Sequence, residues 1–504
     1  MTTRTLINAA LGFAALSPLS LPSYADAVGD FTHAADVGQP RLAGSASYDP
    51  SRQAYTLSGA GINMWAEQDQ FQFAYREIEG DFIIRATVRF EGDGVDPHRK
   101  IGIIARNTLD DASPYADACV HGDGLTSLQF RRNQGGITEQ VEMDLSAPTE
   151  IELQREGDRF TFSAARFGDV FQSVSQQLDL NDTVLAGLFI CSHNPEVVET
   201  AHFTNVRIVL PAPADFRPYQ DYIGSHLEIM EVASGERKVL ASFPNSIQAP
   251  NWTPDGKTLI YNSEGKLYNY RISDGRITEL NTGFANQNNN DHVLSFDGKQ
   301  IGISHHVGEE RISTIYTLTV SGSEAPTRIT DPENGHSFLH GWSPDNRQLI
   351  FTGHRNGQYD IWAIDIESKE ETPLTQLTTL DDGSEFSPDG SFIYFNSVRS
   401  GNMQIWRMKA DGSEQTQLTF DSFNNWFPHL SPDGQSFVYL AFPADIDPND
   451  HPFYKKVYLR QMPAEGGQAK TIAYLYGGQG SINVPSWSPD GTHIAFVSNS
   501  RELD

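Results

Sequence analysis

The sequence predicts an all-β protein in two parts, an antiparallel β-sandwich followed by a six-bladed β-propeller. Two observations carry that prediction. Residues 28–210 hold segments in which apolar and polar side chains alternate, the period-2 pattern of strands with one wet face. From residue 226 onward one turn pattern recurs six times at about 45-residue intervals, the length of a four-stranded propeller blade.

At 504 residues the chain has room for two or three domains. Residues 1–25 read as a secretory signal: Arg4 opens it, Leu6 to Leu16 is apolar, and Ser23-Tyr24-Ala25 or Ala25-Asp26-Ala27 offers small residues for cleavage. The expected location is therefore periplasmic or secreted. No later apolar stretch reaches the roughly 20 residues of a membrane helix. A formal charge of -29 disfavours nucleic acid and anionic lipid as partners, because no basic face is present to neutralise phosphates. Cys119 and Cys191 allow either one disulfide or two buried thiols, and they are too few for a cysteine metal site.

In the first half the alternation is clear in DFIIRATVRF (81–90), SLQFRR (127–132), TEIELQREGDRFTFSAAR (149–166) and AHFTNVRIVL (201–210). The stretches SGAGINMWAEQDQFQFAY, RKIGIIARNTLDDASPYA and HGDGLTSLQFRR resemble the concanavalin-like, or laminin-G-like, jelly rolls of secreted carbohydrate-active proteins. That resemblance implies a glycan-binding jelly-roll sandwich. Trp65, Phe73 and Tyr75 fit either sugar stacking or the core. PAPADFRPYQDYIGS (211–225) is Pro-rich, lacks periodicity and reads as a linker.

The repeat is carried by NWTPDGKTLIY, LSFDGKQIGIS, GWSPDNRQLIF, EFSPDGSFIYF, HLSPDGQSFVY and SWSPDGTHIAF, with Asp255, Asp297, Asp345, Asp389, Asp433 and Asp490 at the turns. Successive aspartates lie 42, 48, 44, 44 and 57 residues apart. Each copy reads as strand, turn, strand: Pro presets φ and Gly accepts a positive φ. The last copy has only two strands before Asp504, and residues 226–232 and 237–242 supply two more, so strands from both chain ends are expected to close the ring. Residues 226–504 resemble TolB-like propellers built from PD40, WD40-like repeats. Such propellers occur in colicin-import proteins, peptidases and polysaccharide lyases, so the resemblance implies fold more than function. No G-x-S-x-G elbow is present, which argues against a serine peptidase.

Nine of the ten histidines in this half fall in loops assigned to the face opposite the Pro-Asp turns. His292, His340, Glu385 and His429 precede the turn serine by two or three residues in four consecutive blades. They are the expected metal ligands, and three imidazoles with one carboxylate suit Zn, Mn, Fe or Ni. Asp381, Asp382, Asn424, Asn425 and Trp426 are the expected substrate contacts. His354, Arg355 and Arg399 are the expected catalytic groups, the arginines in paired HRNG and VRSG loops able to grip a carboxylate. Oligogalacturonate lyases have similar propellers with a histidine-held metal, which implies metal-dependent cleavage of an oligo- or polysaccharide. The alternative is a non-catalytic periplasmic binding or scaffold protein whose propeller face takes a protein or peptide from the cell envelope.

Overall fold

The computed structural model describes residues 27–503, where every regular element but the short turn Pro332–Asn334 is a strand. The expected signal at residues 1–25 lies outside the described residues. Among the described residues no helix is long and apolar enough to cross a membrane.

The first half forms two seven-stranded antiparallel sheets. One has the order His33–Val37, Phe71–Glu79, Thr183–Cys191, Lys100–Arg106, Tyr115–His121, Thr126–Arg131, Glu139–Glu142. The other runs Gln172–Gln177, Arg159–Ala165, Glu150–Glu156, Phe82–Phe90, Asn194–Val209, Ala54–Gly61, Ser45–Asp49. Alternation explains why they pack: Ile103, Leu128 and Leu188 of the first sheet and Leu57, Phe82 and Phe162 of the second are fully buried in one shared cluster. Each such side chain contributes about 1.5–3 kcal/mol of burial.

The first sheet has a second apolar layer on its outer face, built on Phe71, Phe73, Tyr115 and Phe189. A short hairpin, Met64–Trp65 with Gln68–Asp69, closes over it. The Tyr115 hydroxyl donates to the Met64 carbonyl at 3.3 Å, and Arg131 and Arg106 reach the fully buried Asp69 at 2.7 and 3.3 Å. Phe73 and Tyr75 are thus core, while Trp65 is exposed. Cys119 and Cys191 are free, buried thiols rather than a disulfide. Burial pushes the Cys191 thiol up to about 11.

The second half is a six-bladed propeller. The inner strands of blades one to five are Gln248–Trp252, Asn288–Leu294, Ser337–Trp342, Asp381–Phe386 and Asn424–Leu430, each opening a four-stranded sheet. In blade six Ser225–Glu231 lies between Arg237–Phe243 and His493–Asn499, so the first strand of this half pairs antiparallel with the last.

The recurrent turn explains itself chemically. In every copy the Ser or Thr hydroxyl donates to the turn aspartate at 2.6–2.8 Å. The same carboxylate accepts the backbone N–H two residues on, as from Lys257 and Arg347. Gly follows the Asp in five copies; in the third, Asn346 adopts the left-handed conformation instead, at φ 59°. The turns also nest: a Cβ on Gly298 would lie 2.5 Å from the Pro254 ring of the preceding turn, and Gly256 of blade one faces Pro489 of blade six.

Salt bridges bind the halves together. Glu228 of the propeller receives Arg207 of the sandwich at 2.6 Å and its own Arg237 at 2.7 Å. Arg85 of the sandwich pairs with Glu152 and donates to the Tyr474 carbonyl, and Phe171 stacks on Tyr474 at 4.0 Å. The segment 211–224 is pinned along blade five, with Ala212 N–H donating to the Tyr476 hydroxyl and Ile223 N–H to that of Tyr454.

Candidate functional site

Each inner strand carries a register irregularity just before its turn, and these bulges aim side chains into the central funnel. His340 is the unpaired residue between Leu339 and Gly341; Asn289, Asn290 and Asp291 lie in the shift between Asn288 and His292. They meet the loop 443–454 of blade five, which brings in Asn449 and His451, and the segment holding Gln479 and Asn483. The result is a cavity of about 620 Å³ walled by Tyr219, Phe338, Tyr359 and Phe427. A second chamber of about 640 Å³ shares Tyr219, Asn289, Asn290, His306 and Gln479 with it. Tyr219 comes from the segment between the halves and is held at the rim by its hydroxyl donating to Asp450 Oδ1 at 2.9 Å.

A charged pair forms the floor. Asp382 Oδ1 accepts from His340 Nε2 at 3.0 Å, from Thr352 Oγ1 at 2.5 Å and from the Gly383 N–H at 2.8 Å. Burial opposes both charges, but the hydrogen bond and attraction between the partners outweigh it: the His340 imidazolium is raised above its ordinary value and Asp382 is held down to about 2. His451 Nε2 stands 3.9 Å from Asp382 Oδ2, and burial lowers its pKa. Burial pushes the nearby Asp291 up to about 6, with the Asp382 charge adding to this and His340 and Asn289 opposing it.

The expected metal ligands do not converge. His292 is fully buried between blades, its Nε2 donating to the Ile260 carbonyl at 3.2 Å, and burial lowers it to about 4, so it is neutral. His429 contacts Glu385 at 2.6 Å through Nδ1 and the Ile482 carbonyl at 2.6 Å through Nε2, while Glu385 also accepts the Leu430 N–H. These are inter-blade staples, and of the four only His340 lines the cavity. Among the described residues no group of three or more His, Cys, Asp or Glu side chains could hold a metal ion.

The expected catalytic groups lie off the funnel. Arg355 forks onto Glu371 at 3.0 Å and donates to the His336 carbonyl and Ser337 Oγ, and its guanidinium lies over Trp362. Arg399 does the equivalent in the next blade with Asp381, Ser397 and Trp406. Both lock blade edges. His354 packs on Tyr359, with ring centroids 4.5 Å apart, and does not line the cavity. Of the expected substrate contacts only Asp382 lines it. Asp381 is committed to Arg399, Asn424 to Ile446 and Met403, and Asn425 to Asp421. Trp426 is fully buried behind His451, with centroids 4.5 Å apart. Asp291, its flanking asparagines, Asn449, Gln479, Asn483 and the tyrosines escaped the sequence reading, although the QNNND run at 287–291 marks the first group and the long 57-residue spacing in blade five holds Asn449, Gln479 and Asn483.

Comparison with known proteins fits this architecture. Residues 313–446 match the family described as the TolB beta propeller domain, PD40. An uncharacterized protein of Agrobacterium fabrum is 42% identical over 274 residues, which are 54% of this chain and 92% of that protein. This chain belongs to the TolB β-propeller family. The solved structure of a TolB-like protein from Agrobacterium tumefaciens shares 41% identity and a TM-score of 0.53, covering 56% of this TolB-family chain and all of its own. The Tol-Pal system protein TolB of Francisella tularensis is 28% identical over 158 residues, 30% of this chain and 35% of that protein. The match to TolB itself thus spans about a third of its length.

Proposed function

We propose that this protein is an exported, periplasmic binding or scaffold component of the cell envelope, and that its propeller funnel takes an extended segment of a protein partner. The observation that carries this reading is the lining of the two joined chambers. Asn290 Nδ2 has no protein acceptor, and Asn289, Gln479 and Asn483, although bonded to Asp291, Gly480 and one another, keep the second N–H or lone pair of each amide for a peptide main chain, while the aromatic rings beside them suit its side chains. The Tol-Pal name of the Francisella relatives supports an envelope protein as the partner. The N-terminal sandwich, which we read as a concanavalin-like jelly roll, is bonded to the propeller through Arg207 and Arg85, and the segment after it supplies the rim residue Tyr219. Metal-dependent saccharide cleavage is the weaker reading, because its four expected ligands form no single cluster: His292 bonds the Ile260 carbonyl, His340 bonds Asp382, and His429 and Glu385 bond each other.

A photo-crosslinking amino acid placed at Tyr359, inside the funnel, and at the exposed Phe296, beside a turn of the opposite face, tests the reading in the native envelope. A polypeptide adduct specific to position 359 is expected. Equal labelling at both positions, or a saccharide adduct at 359, would overturn it.

A further inference from the structure

We infer that the funnel floor is a seat for a cationic group of the bound segment, an ammonium or guanidinium received by the carboxylates of Asp291 and Asp382. This inference rests on the peptide reading above and specifies what the peptide must carry.

Two carboxylate oxygens of the funnel floor are open. Asp291 is 5% exposed; its Oδ2 accepts from Asn289 Nδ2 at 2.8 Å, and its Oδ1 has no protein donor among the described residues. Asp382 uses Oδ1 for all three of its hydrogen bonds, leaving Oδ2 with only the distant His451 ring at 3.9 Å. Both residues line the same cavity. His340, whose imidazole is raised above its ordinary value, is already engaged by Asp382, and even when protonated it balances only one of the two carboxylates. With both carboxylates ionised, the floor carries one more negative charge than positive.

A carboxylate taken out of water without a counter-charge is costly, and the group responds by holding its proton. Asp291 does this, with a pKa of about 6. A ligand cation would supply the missing charge and donors to both open oxygens, where hydrogen bonds to charged groups are the strong ones. The walls suit such a ligand too. Phe338, Tyr359 and Phe427 line the same cavity, where their rings would meet a cation and the methylene stem that carries it. Asn290, 4% exposed and lining both chambers, has an unpartnered Nδ2 that a ligand carbonyl would satisfy. A neutral sugar hydroxyl would leave the charge uncompensated, and an anionic uronate would add to it.

Calorimetric titration of the full protein at pH 7.5 with two capped pentapeptides tests this: acetyl-Gly-Tyr-Lys-Tyr-Gly-amide, and the same peptide with norleucine in place of lysine. The lysine peptide is expected to bind about 10-fold more tightly, the scale of one charge-assisted contact. Asp291→Asn should reduce that advantage to about 2-fold or less, as should lowering wild type to pH 5, where Asp291 is protonated. The pH arm decides the matter if the variant fails to fold. Equal binding of both peptides would overturn the cation seat and leave the peptide funnel standing. Binding of neither would overturn both. A lysine advantage that persists at pH 5 and in Asp291→Asn would remove Asp291 from the seat.

Discussion

The imidazole of His340, in the inner strand of blade three, donates Nε2–H to Asp382 Oδ1 of blade four at 3.0 Å, with both side chains largely buried. This single contact couples two blades and sets the charge of the funnel floor. His340→Ala leaves Asp382 with only Thr352 and Gly383 as donors, and removing one partner of a buried pair costs about 3 kcal/mol. The pair also fixes a pH window. The imidazole is raised above its ordinary value of 6.5, so its contribution is complete below that pH and is lost as pH rises through the raised value. Asp382 is lowered from 3.8 to about 2, so its contribution is present above 3.8 and lost as pH falls toward 2. Urea unfolding from pH 3 to 9 should show wild type minus His340→Ala largest between about pH 4 and 6.5.

Asp291 behaves in the opposite sense. Its carboxyl is raised from 3.8 to about 6, so the folded state holds the proton more tightly than the unfolded one and loses stability as pH rises between those values. Asp291→Asn removes that loss. The unfolding free energy of the variant relative to wild type, read from urea titrations, is therefore expected to climb from pH 4 to pH 7 and to level off above it, a total of about 2–3 kcal/mol. A difference that stays flat across this range would show that Asp291 is not strained by burial.

His292 is a staple rather than a ligand. His292→Ala removes a fully buried ring and its bond to the Ile260 carbonyl, at a cost of about 2–4 kcal/mol in urea unfolding. Peptide affinity at a temperature where the variant is folded should be unchanged, because His292 does not line the funnel. A loss of affinity with intact stability would place it at the site after all.

Glu228 is the joint between the halves, fully buried and bonded to Arg207, Arg237 and Ser498. Wild type is expected to unfold in one calorimetric transition. Glu228→Gln leaves two guanidiniums under-compensated, lowers stability by about 3–5 kcal/mol and should split the transition in two. Two transitions already present in wild type would mean that the interface does not couple the halves.

The propeller was legible because its turn is encoded locally: Ser, Pro, Asp and Gly each do their work within five residues, and six copies make the period plain. The site was not, for two physical reasons. Counting back from the turn serine assumes a regular pleat, yet each inner strand bulges, so His340 turns into the funnel while His292 and His429, at nearly the same offset, turn into neighbouring blades. Part of the lining comes from connections, Tyr219 before the propeller and Asn449 and His451 in blade five, whose placement depends on tertiary contacts such as Tyr219 with Asp450. Arg355 and Arg399 look catalytic in sequence because the repeat pairs them; in the structure the same pairing reflects a shared edge lock.

The most direct test of the account is a crystal structure of the protein with the lysine pentapeptide bound. The account predicts peptide density running through both chambers, with the lysine ammonium within about 3.2 Å of Asp291 Oδ1, hydrogen-bond distance. Density on the sandwich or on the turn face, with the funnel holding water alone, would contradict it.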